Sequence, residues 1–292
     1  AAGRAVIGAK AMAGLCKGLR AASGGALPLW TPAVPAPHFG GFAARPPASA
    51  HPRRVVYFPS CLNQRLGRVP GAKGTRGTVE DTLALLAKAG WQVVFPAGLG
   101  NLCCGTIWES KGMEAEADRK SAELADALRA ASRDGRDPIL CDQSPCLARM
   151  RRTMPGLDLY EPASFIAKFL LADLAIRPLD ACVAVHVTCS MRKMGLEEKI
   201  VEVARACARA VVVPDGIGCC AFAGDKGFTH PELNAWALRK LRAAVRAAGA
   251  TEGVSNSRTC EIGLMAHAGI PYVNIVTLVN RAAIGPRVIP GT

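Results

Sequence analysis

Two vicinal cysteine pairs, Cys103-Cys104 and Cys219-Cys220, are the residues of this chain whose types and spacing most directly suggest chemistry. Consecutive Cα atoms lie about 3.8 Å apart, short of the usual disulfide range, so each pair offers two thiolates to one metal centre more readily than it bridges internally. A lone cysteine precedes each pair and another follows it, at similar distances. The same sulfur constellation therefore occurs twice, and we expect it to hold iron–sulfur clusters.

The two copies supply enough sulfur for one or two 4Fe-4S clusters, which need four thiolates each. The second copy supplies Cys189, Cys219, Cys220 and Cys260. The first copy supplies Cys61, Cys103, Cys104 and Cys146, with Cys141 as a fifth candidate. A four-cysteine zinc site needs the same count, although zinc sites more often use Cys-x2-Cys hairpins, which the sequence lacks. Zinc in at least one copy, a redox disulfide and a structural role stay open as alternatives.

Two further residues are candidates for contact with a cofactor. His186 lies three residues before Cys189 and is placed to hydrogen-bond a cluster sulfur, although a satisfied core histidine is the competing interpretation. Gly105 follows the first vicinal pair, where a glycine lets backbone amides approach a sulfide, and tight turns need the same residue. Cys182 and Cys207 fall outside the repeated pattern and are more typical of small core residues.

Strand and helix patterns alternate around the cysteines. We predict strands over 54–59, 91–95, 138–141, 182–187, 211–213 and 253–256, and helices over 78–89, 112–132, 196–210 and 230–248. Such alternation indicates βαβ units with mostly parallel sheets, whose functional loops gather at the carboxyl ends of the strands. We therefore predict an α/β fold of two pseudo-repeated βαβ-type domains, with the cysteine-bearing loops at those ends.

Composition divides the chain into an arm and two cysteine-rich domains, over residues 1–52, 53–176 and 177–292. With 292 residues and 50% hydrophobic residues, the chain is long enough for two domains with cores. The net charge is +13, yet residues 1–79 hold eleven basic and no acidic residues, against 25 basic and 23 acidic residues afterwards. The arm carries few aromatic residues for stacking (Trp30, Phe39 and Phe42), so we expect no nucleic-acid partner. It suits an acidic module or an anionic membrane surface, and compositional bias is the alternative.

Membrane insertion is not expected. The uncharged run 21–44 is long enough to cross a bilayer, but its four prolines would break a helix. Twelve clustered cysteines indicate a reducing compartment and metal ligation, so we expect a cytoplasmic protein, with at most peripheral contact to the cytoplasmic face of the membrane.

At its cysteines the chain resembles the cysteine-rich CCG domain family, found in the cysteine-rich subunits of heterodisulfide reductases, glycolate oxidase iron–sulfur subunits and lactate-utilisation proteins. The resemblance covers about residues 53–282 and rests on a lone Cys, then Cys-Cys-Gly, then a closing Cys, in two copies. Cys103-Cys104-Gly105 matches fully, whereas the second copy reads Cys-Cys-Ala at Ala221. The closing element is Cys-x4-Cys in the first copy and a single Cys in the second.

Within that family the chain is most similar to the C-terminal iron–sulfur part of bacterial FAD-linked D-lactate dehydrogenases. The segments that carry this likeness are 27–32 (LPLWTP), 142–146 (DQSPC) and 256–261 (NSRTCE). The resemblance implies an electron-transfer module of a 2-hydroxy acid dehydrogenase, part of an FAD and iron–sulfur oxidoreductase. FAD would lie on a separate or missing module, and a quinone or a cytochrome would accept the electrons. The alternatives are a heterodisulfide-reductase-like thiol–disulfide reductase subunit and a zinc-stabilised module without redox chemistry.

Overall fold

The computed structural model describes residues 2–37 and 53–287. The N-terminal arm begins with the Ala-rich helix α1 (Ala2–Ala22), which is broken at Gly8 (φ 79°). Residues 23–37 then contact both halves. The Leu29 amide donates to the Phe228 carbonyl of the second half, and the Ala36 carbonyl accepts from the Gly67 amide of the first half. The rest of the arm, 38–52 with Phe39 and Phe42, lies outside the described residues. In the described part, no helix combines the length and apolar character that crossing a bilayer requires.

The first half contains five strands and six helices, with a 3-10 turn at Leu99–Asn101 and a π-helical turn at Ile166–Leu170. Their bounds are β1 Arg54–Phe58, α2 Cys61–Arg65, α3 Thr78–Lys88, β2 Gln92–Val94, α4 Thr106–Glu109, α5 Glu114–Ala131, β3 Ile139–Cys141, α6 Ser144–Thr153, β4 Leu159–Tyr160, α7 Pro162–Phe165 and β5 Leu174–Ile176.

The described part of the second half contains five strands and seven helices. Their bounds are β6 Leu179–Val185, α8 Cys189–Lys193, α9 Glu197–Cys207, β7 Ala208–Val212, α10 Lys226–Thr229, α11 Pro231–Ala237, α12 Leu241–Ala247, β8 Glu252–Ser255, α13 Arg258–Ala268, β9 Tyr272–Asn274, α14 Ile275–Ala282 and β10 Ala283–Pro286.

Each half is built on a four-stranded parallel sheet with the same strand order. The orders are β2-β1-β3-β4 and β7-β6-β8-β9, and every pairing within these two sheets is parallel. A small antiparallel pair, β5 with β10, ties the end of the first half to the C-terminal strand. The predicted α/β class with mostly parallel sheets is confirmed, and the cysteine-bearing segments follow the carboxyl ends of the strands.

The two halves share a hydrophobic core as well as having cores of their own. The helix after the fourth strand of each half packs on the other half, since α14 contacts α3 and α7 contacts α9. Leu86 of α3, Ile200 of α9 and Val276 of α14 are buried in that shared core. Burial of apolar side chains on both sides of the junction holds the carboxyl ends of the two sheets in fixed relation.

Two predicted helices differ from the structure. The helix expected over 196–210 ends at Cys207, because residues from Ala208 pair with β6 and form the sheet's edge strand instead. The helix expected over 230–248 is interrupted between Ala237 and Leu241, where Leu238 leaves the helical conformation (φ −102°, ψ 12°). Leu238 and Leu241 are both buried, so tertiary packing overrides the local helical preference there.

Candidate metal centres

The lone first cysteine of each copy begins a short capped helix rather than lying in a loop. Cys61 is the first residue of α2, whose N-cap Ser60 hydroxyl accepts from the Asn63 amide at 3.3 Å. Cys189 is the first residue of α8, whose N-cap Thr188 hydroxyl accepts from the Met191 amide at 3.2 Å. The same capping chemistry therefore orients both cysteines.

The vicinal pairs lie in the segments that follow β2 and β7. The Cys103 sulfur accepts from the Gly105 amide at 3.4 Å, and the Cys219 sulfur accepts from the Ala221 amide at 3.3 Å. Both amides reach back because the residue that bears them is in the left-handed region, with φ 86° at Gly105 and 52° at Ala221. Ala221 thus adopts a conformation that side-chain-bearing residues rarely take.

The closing cysteines lie in the first turn of longer helices. Cys146 is in α6 and Cys260 is in α13, and both are buried. The fifth candidate, Cys141, is the last residue of β3 and is also buried. Ser255 ends β8 at the corresponding place in the second half.

The structure brings the nine candidate cysteines together in two groups. Site 1 comprises Cys61, Cys103, Cys104, Cys141 and Cys146, whose sulfurs contact in the order 61–103–104–146–141. Site 2 comprises Cys189, Cys219, Cys220 and Cys260, whose sulfurs contact in that order. The Cys220 and Cys260 sulfurs are 3.1 Å apart. The role of these residues as ligands stays a prediction, but distant segments of chain do converge on two points.

Thiol contacts move the cysteine pKa values in the same pattern in both sites. Hydrogen bonds from Cys104 and Cys61 hold the pKa of Cys103 well below its usual range, and those from Cys189 and Cys220 do the same for Cys219. The pKa values of the thiols that donate these hydrogen bonds move upward. The hydrogen bond to Cys103 raises the pKa of Cys61, and the hydrogen bond to Cys219 raises the pKa of Cys189. The first member of each vicinal pair is therefore the most readily formed thiolate, the form that binds metals.

A buried arginine lies against site 1. Arg149, one turn after Cys146, forms ion pairs with Glu109 at 2.5 Å and Asp118 at 2.6 Å. A Cβ at Gly105 would lie 2.3 Å from the Ala117 carbonyl oxygen and 2.9 Å from Arg149 Nε. Gly105 is required here because the arginine side chain and the α5 backbone occupy the space of a larger residue.

Site 2 replaces the arginine with a glycine and a polar neighbour. Gly263 occupies the position matching Arg149, and a Cβ there would lie 2.7 Å from both the Asn234 amide nitrogen and the Phe222 ring. The Asn234 amide donates to the Cys220 carbonyl at 2.6 Å, which fixes the backbone of the vicinal pair. Sequence reasoning missed Arg149 and Asn234, because only the fold brings them to the cysteines.

His186 lies at the carboxyl end of β6, buried behind site 2. Its Nδ1 is 3.2 Å from the Ser255 hydroxyl, and its Nε2 is buried without a hydrogen-bond partner among the described residues. Burial lowers the pKa of His186 to about 4, so the ring is neutral at neutral pH. The corresponding pair in site 1 is Phe58 and Cys141, which are paired in the register of β1 and β3.

The two sites are joined by hydrogen bonds between their closing loops. The Ser144 amide donates to the Asn256 carbonyl at 2.9 Å, and the Arg258 amide donates to the Gln143 side-chain oxygen at 2.9 Å. The Ser144 hydroxyl also contacts the hydroxyls of Thr188 and Ser190, both 2.8 Å away and on either side of Cys189. Residues adjacent to site 1 thus bond directly to residues adjacent to site 2.

The donor sets fit an iron–sulfur or other soft-metal group. Thiolates select zinc, copper(I) and iron–sulfur clusters, and the unpartnered His186 Nε2 leaves a buried donor or acceptor available at site 2. All twelve cysteines lie among the described residues and are free thiols. In residues 2–37 and 53–287, no group of three or more His, Cys, Asp or Glu side chains is arranged around a single metal ion. The sulfurs instead contact each other in succession.

Two solved structures resemble this chain weakly. An aspartate racemase homologue from Pyrococcus horikoshii has 12% identity and a TM-score of 0.32, with 78% of this chain and 96% of that chain covered. An aspartate racemase from Picrophilus torridus has 11% identity and a TM-score of 0.36, with 81% and 96% covered. TM-scores this low carry no conclusion about this chain.

No curated protein matches the sequence. The family described as "Cysteine-rich domain", CCG, matches residues 55–151 and 183–265, which together make up more than half of the chain and contain both cysteine sites. The chain therefore belongs to the cysteine-rich CCG domain family and has the cysteine constellation of an iron–sulfur or metal-binding module.

Proposed function

We propose that this chain is the iron–sulfur electron-transfer module of a flavin-dependent 2-hydroxy acid dehydrogenase, with D-lactate as the substrate of the complete enzyme. FAD would lie on another module or subunit, and a quinone or a cytochrome would accept the electrons. The protein would act in the cytoplasm, with peripheral contact to the membrane. Support for the hydroxy-acid substrate is the likeness of segments 27–32, 142–146 and 256–261 to the D-lactate dehydrogenases.

The observation that carries the proposal is that the two sets of cysteines lie on either side of one short hydrogen-bonded junction. Site 1 and site 2 lie at the carboxyl ends of two sheets whose loops bond through Ser144 and Asn256. A 4Fe-4S cluster bound at each site would supply one-electron chemistry at the potential that its surroundings set. Two centres joined by a rigid, bonded junction suit electron transfer better than an isolated structural metal would.

The residues of the chain have separate tasks in this proposal. Cys103 and Cys219, the most acidic thiols, would be the first to bind metal as thiolates. The N-caps Ser60 and Thr188 orient the lone cysteines, and Asn234 holds the backbone of the second pair. Arg149 packs beside Gly105 of site 1, and its ion pairs with Glu109 and Asp118 hold it in place.

The decisive experiment is metal and sulfide analysis of the chain purified and reconstituted without oxygen. We expect iron with acid-labile sulfide, and an electron paramagnetic resonance signal after chemical reduction. Addition of the flavoprotein partner and D-lactate should produce the same signal. A stronger signal with glycolate than with D-lactate would indicate a different hydroxy-acid substrate. Zinc without sulfide would contradict the proposal and favour a zinc-stabilised module.

A second candidate, a thiol–disulfide reductase subunit, is favoured by the fifth cysteine of site 1. Cys141 contacts Cys146, so site 1 offers five sulfurs where site 2 offers four. A five-cysteine site is compatible with a centre other than the 4Fe-4S cubane, such as the kind found in heterodisulfide reductases. A disulfide substrate that changes the spectrum of the reduced centre would support this candidate, and an unchanged spectrum would leave simple electron transfer.

A further inference from the structure

A cavity of about 1110 Å³ lies between the N-terminal arm and the second half of the chain. Its walls come from the arm, from α10 and α11, and from the end of α13. The bond from the Leu29 amide to the Phe228 carbonyl (2.6 Å) joins the arm to α10 and closes one side. The volume is slightly above the usual range of about 300–1,000 Å³ for small-molecule sites.

The cavity shares a wall with site 2. Phe222, two residues after Cys220, lines the cavity and packs perpendicular to Phe228 with ring centroids 4.9 Å apart. Asn234 also lines it while donating to the Cys220 carbonyl. A molecule in the cavity would therefore be one layer of side chains away from the cysteines.

The wall is mostly apolar with a few hydrogen-bond donors. Leu29, Phe228, Met265 and Ile270 contribute apolar surface. The Thr31 hydroxyl oxygen is buried and has no hydrogen-bond partner among the described residues. Lys10 and Arg242 add cationic donors, and Glu232 and His267 also line the wall. The unpartnered Thr31 hydroxyl and the two cations favour an apolar molecule that carries hydrogen-bond acceptors.

The corresponding region of site 1 is filled by a charged side chain. Arg149 occupies the position that Gly263 holds in site 2, with ion pairs to Glu109 and Asp118. In site 2, the glycine leaves room for Asn234 and Phe222 to form a neutral partition against the cavity. An apolar molecule can therefore come close to the cysteines at site 2, whereas Arg149 fills the corresponding space at site 1.

We propose that this cavity binds the ring of a lipophilic quinone. Its carbonyl oxygens would accept from donors such as Thr31 and Lys10, and its apolar chain would contact Phe228 and Met265. The choice of a quinone rests on the proposed redox function, because a molecule that shares a wall with site 2 is placed to accept electrons from a cluster there. With a quinone in this cavity, the acceptor of the proposed electron transfer is the quinone and not the cytochrome.

The test measures binding of a decyl-substituted benzoquinone to the full chain by titration calorimetry, before and after iron–sulfur reconstitution. Ala235→Trp and Ala266→Trp place bulk in the cavity from two exposed lining positions. Ala247→Trp, exposed on α12 and not in the cavity wall, is the matched control. We expect saturable binding to the wild type, at least tenfold weaker binding to the first two variants and unchanged binding to the control.

Decylbenzene, which lacks the carbonyl acceptors, should bind at least tenfold more weakly than the quinone. Absence of saturable quinone binding, equal affinity for all three variants, or equal affinity for decylbenzene would each overturn the quinone site. Iron and sulfide content of the same samples tests the proposed function separately. Iron-loaded protein that does not bind quinone removes only this site, and quinone binding by protein that takes up no iron supports the site while contradicting the cluster function.

Discussion

Site 1 and site 2 share a backbone design and differ in the side chains around the sulfurs. Both have a lone cysteine in a capped helix, a vicinal pair followed by a residue with positive φ, and a closing cysteine in the first turn of a helix. Around that frame, Phe58 and Cys141 in site 1 correspond to His186 and Ser255 in site 2.

A second exchange involves the position of glycine. Site 1 has Gly105 after its vicinal pair and the large Arg149 packed against it, whereas site 2 has Ala221 after the pair and Gly263 in place of the arginine. Each glycine makes room for a neighbour that the other site lacks. The two sites therefore differ by paired exchanges, in which a larger residue at one position goes with a glycine at the other. Such exchanges keep the arrangement of the sulfurs and change the charge, the polarity and the access of small molecules around them.

The largest effect is expected from removing one candidate ligand of one site. Cys220→Ser should lower the bound iron to about half of the wild-type content, because site 1 does not use that sulfur. Iron and acid-labile sulfide per chain are the measurements, and Cys104→Ser is the mirror variant in site 1. Cys182→Ser, whose thiol faces the Ala248 carbonyl at 3.3 Å outside both sites, is the control. Loss of all iron from either single variant would contradict two independent centres.

Gly105→Ala should destabilise the metal-free fold by about 2–4 kcal/mol, because it combines left-handed strain with a clash. The added Cβ would lie 2.3 Å from the Ala117 carbonyl oxygen, which belongs to a helix and cannot easily move. Urea-induced unfolding measures the free energy of unfolding.

Ala221→Gly is the matched change at the other site and should act in the opposite direction. Relief of the left-handed alanine at φ 52° outweighs the greater chain entropy of glycine, with a net gain of about 0.5–1 kcal/mol. Equal effects of the same sign at the two positions would show that the sites are not constrained differently.

Glu161→Gln tests the polar junction between the halves. Burial raises the pKa of Glu161, whose carboxyl caps α7 and accepts from the Asn256 amide. The folded state therefore keeps a proton that the unfolded state releases above about pH 4.3, so this group's contribution to stability declines as the pH rises.

The variant has no such proton. Its free energy of unfolding should therefore fall less than that of the wild type as the pH rises from 4 to 7. At pH 4 it should be less stable than the wild type by about 1 kcal/mol through one weakened hydrogen bond. Asn274 caps α14 at the corresponding place, so Asn274→Asp should introduce a pH dependence of its own. Parallel pH profiles for wild type and Glu161→Gln would be evidence against a protonated Glu161.

The smallest effect is expected at the surface contact between the two halves. Lys111 and Asp225 form an ion pair at 2.7 Å, and both side chains are nearly half exposed. Lys111→Ala should change the free energy of unfolding by less than about 1 kcal/mol, and less at high salt. A larger loss in urea unfolding would mean that this contact helps to hold the halves together.

Much of the chain around site 1 could be predicted from local pattern. Strands β1, β2 and β3 and helices α3 and α5 lie within two residues of the predicted ranges, because alternation, capping and glycine punctuation are local properties. The α9–β7 boundary was wrong by three residues, since pairing with β6 decides where that helix stops. Cys146 and Cys260 were expected in loops and lie in helices instead, because α6 and α13 are stabilised by tertiary burial, which for α6 includes contact with α8 of the other half.

The order of residues along the chain by itself identified the repeated cysteine pattern, the parallel α/β class and the nine candidate sulfurs, because these depend on residue type and spacing. Only the tertiary structure decided that Arg149 lies beside site 1, that Asn234 holds site 2, that Gln143 and Ser144 link the sites, and that a cavity adjoins one of them. Such contacts join residues far apart in the chain, as between Gln143 and Arg258, which are 115 positions apart. The contacts of Arg149 and Asn234 arise from packing within each half, and those of Gln143 and Ser144 arise from packing of the two halves together. No local sequence pattern encodes either kind of packing.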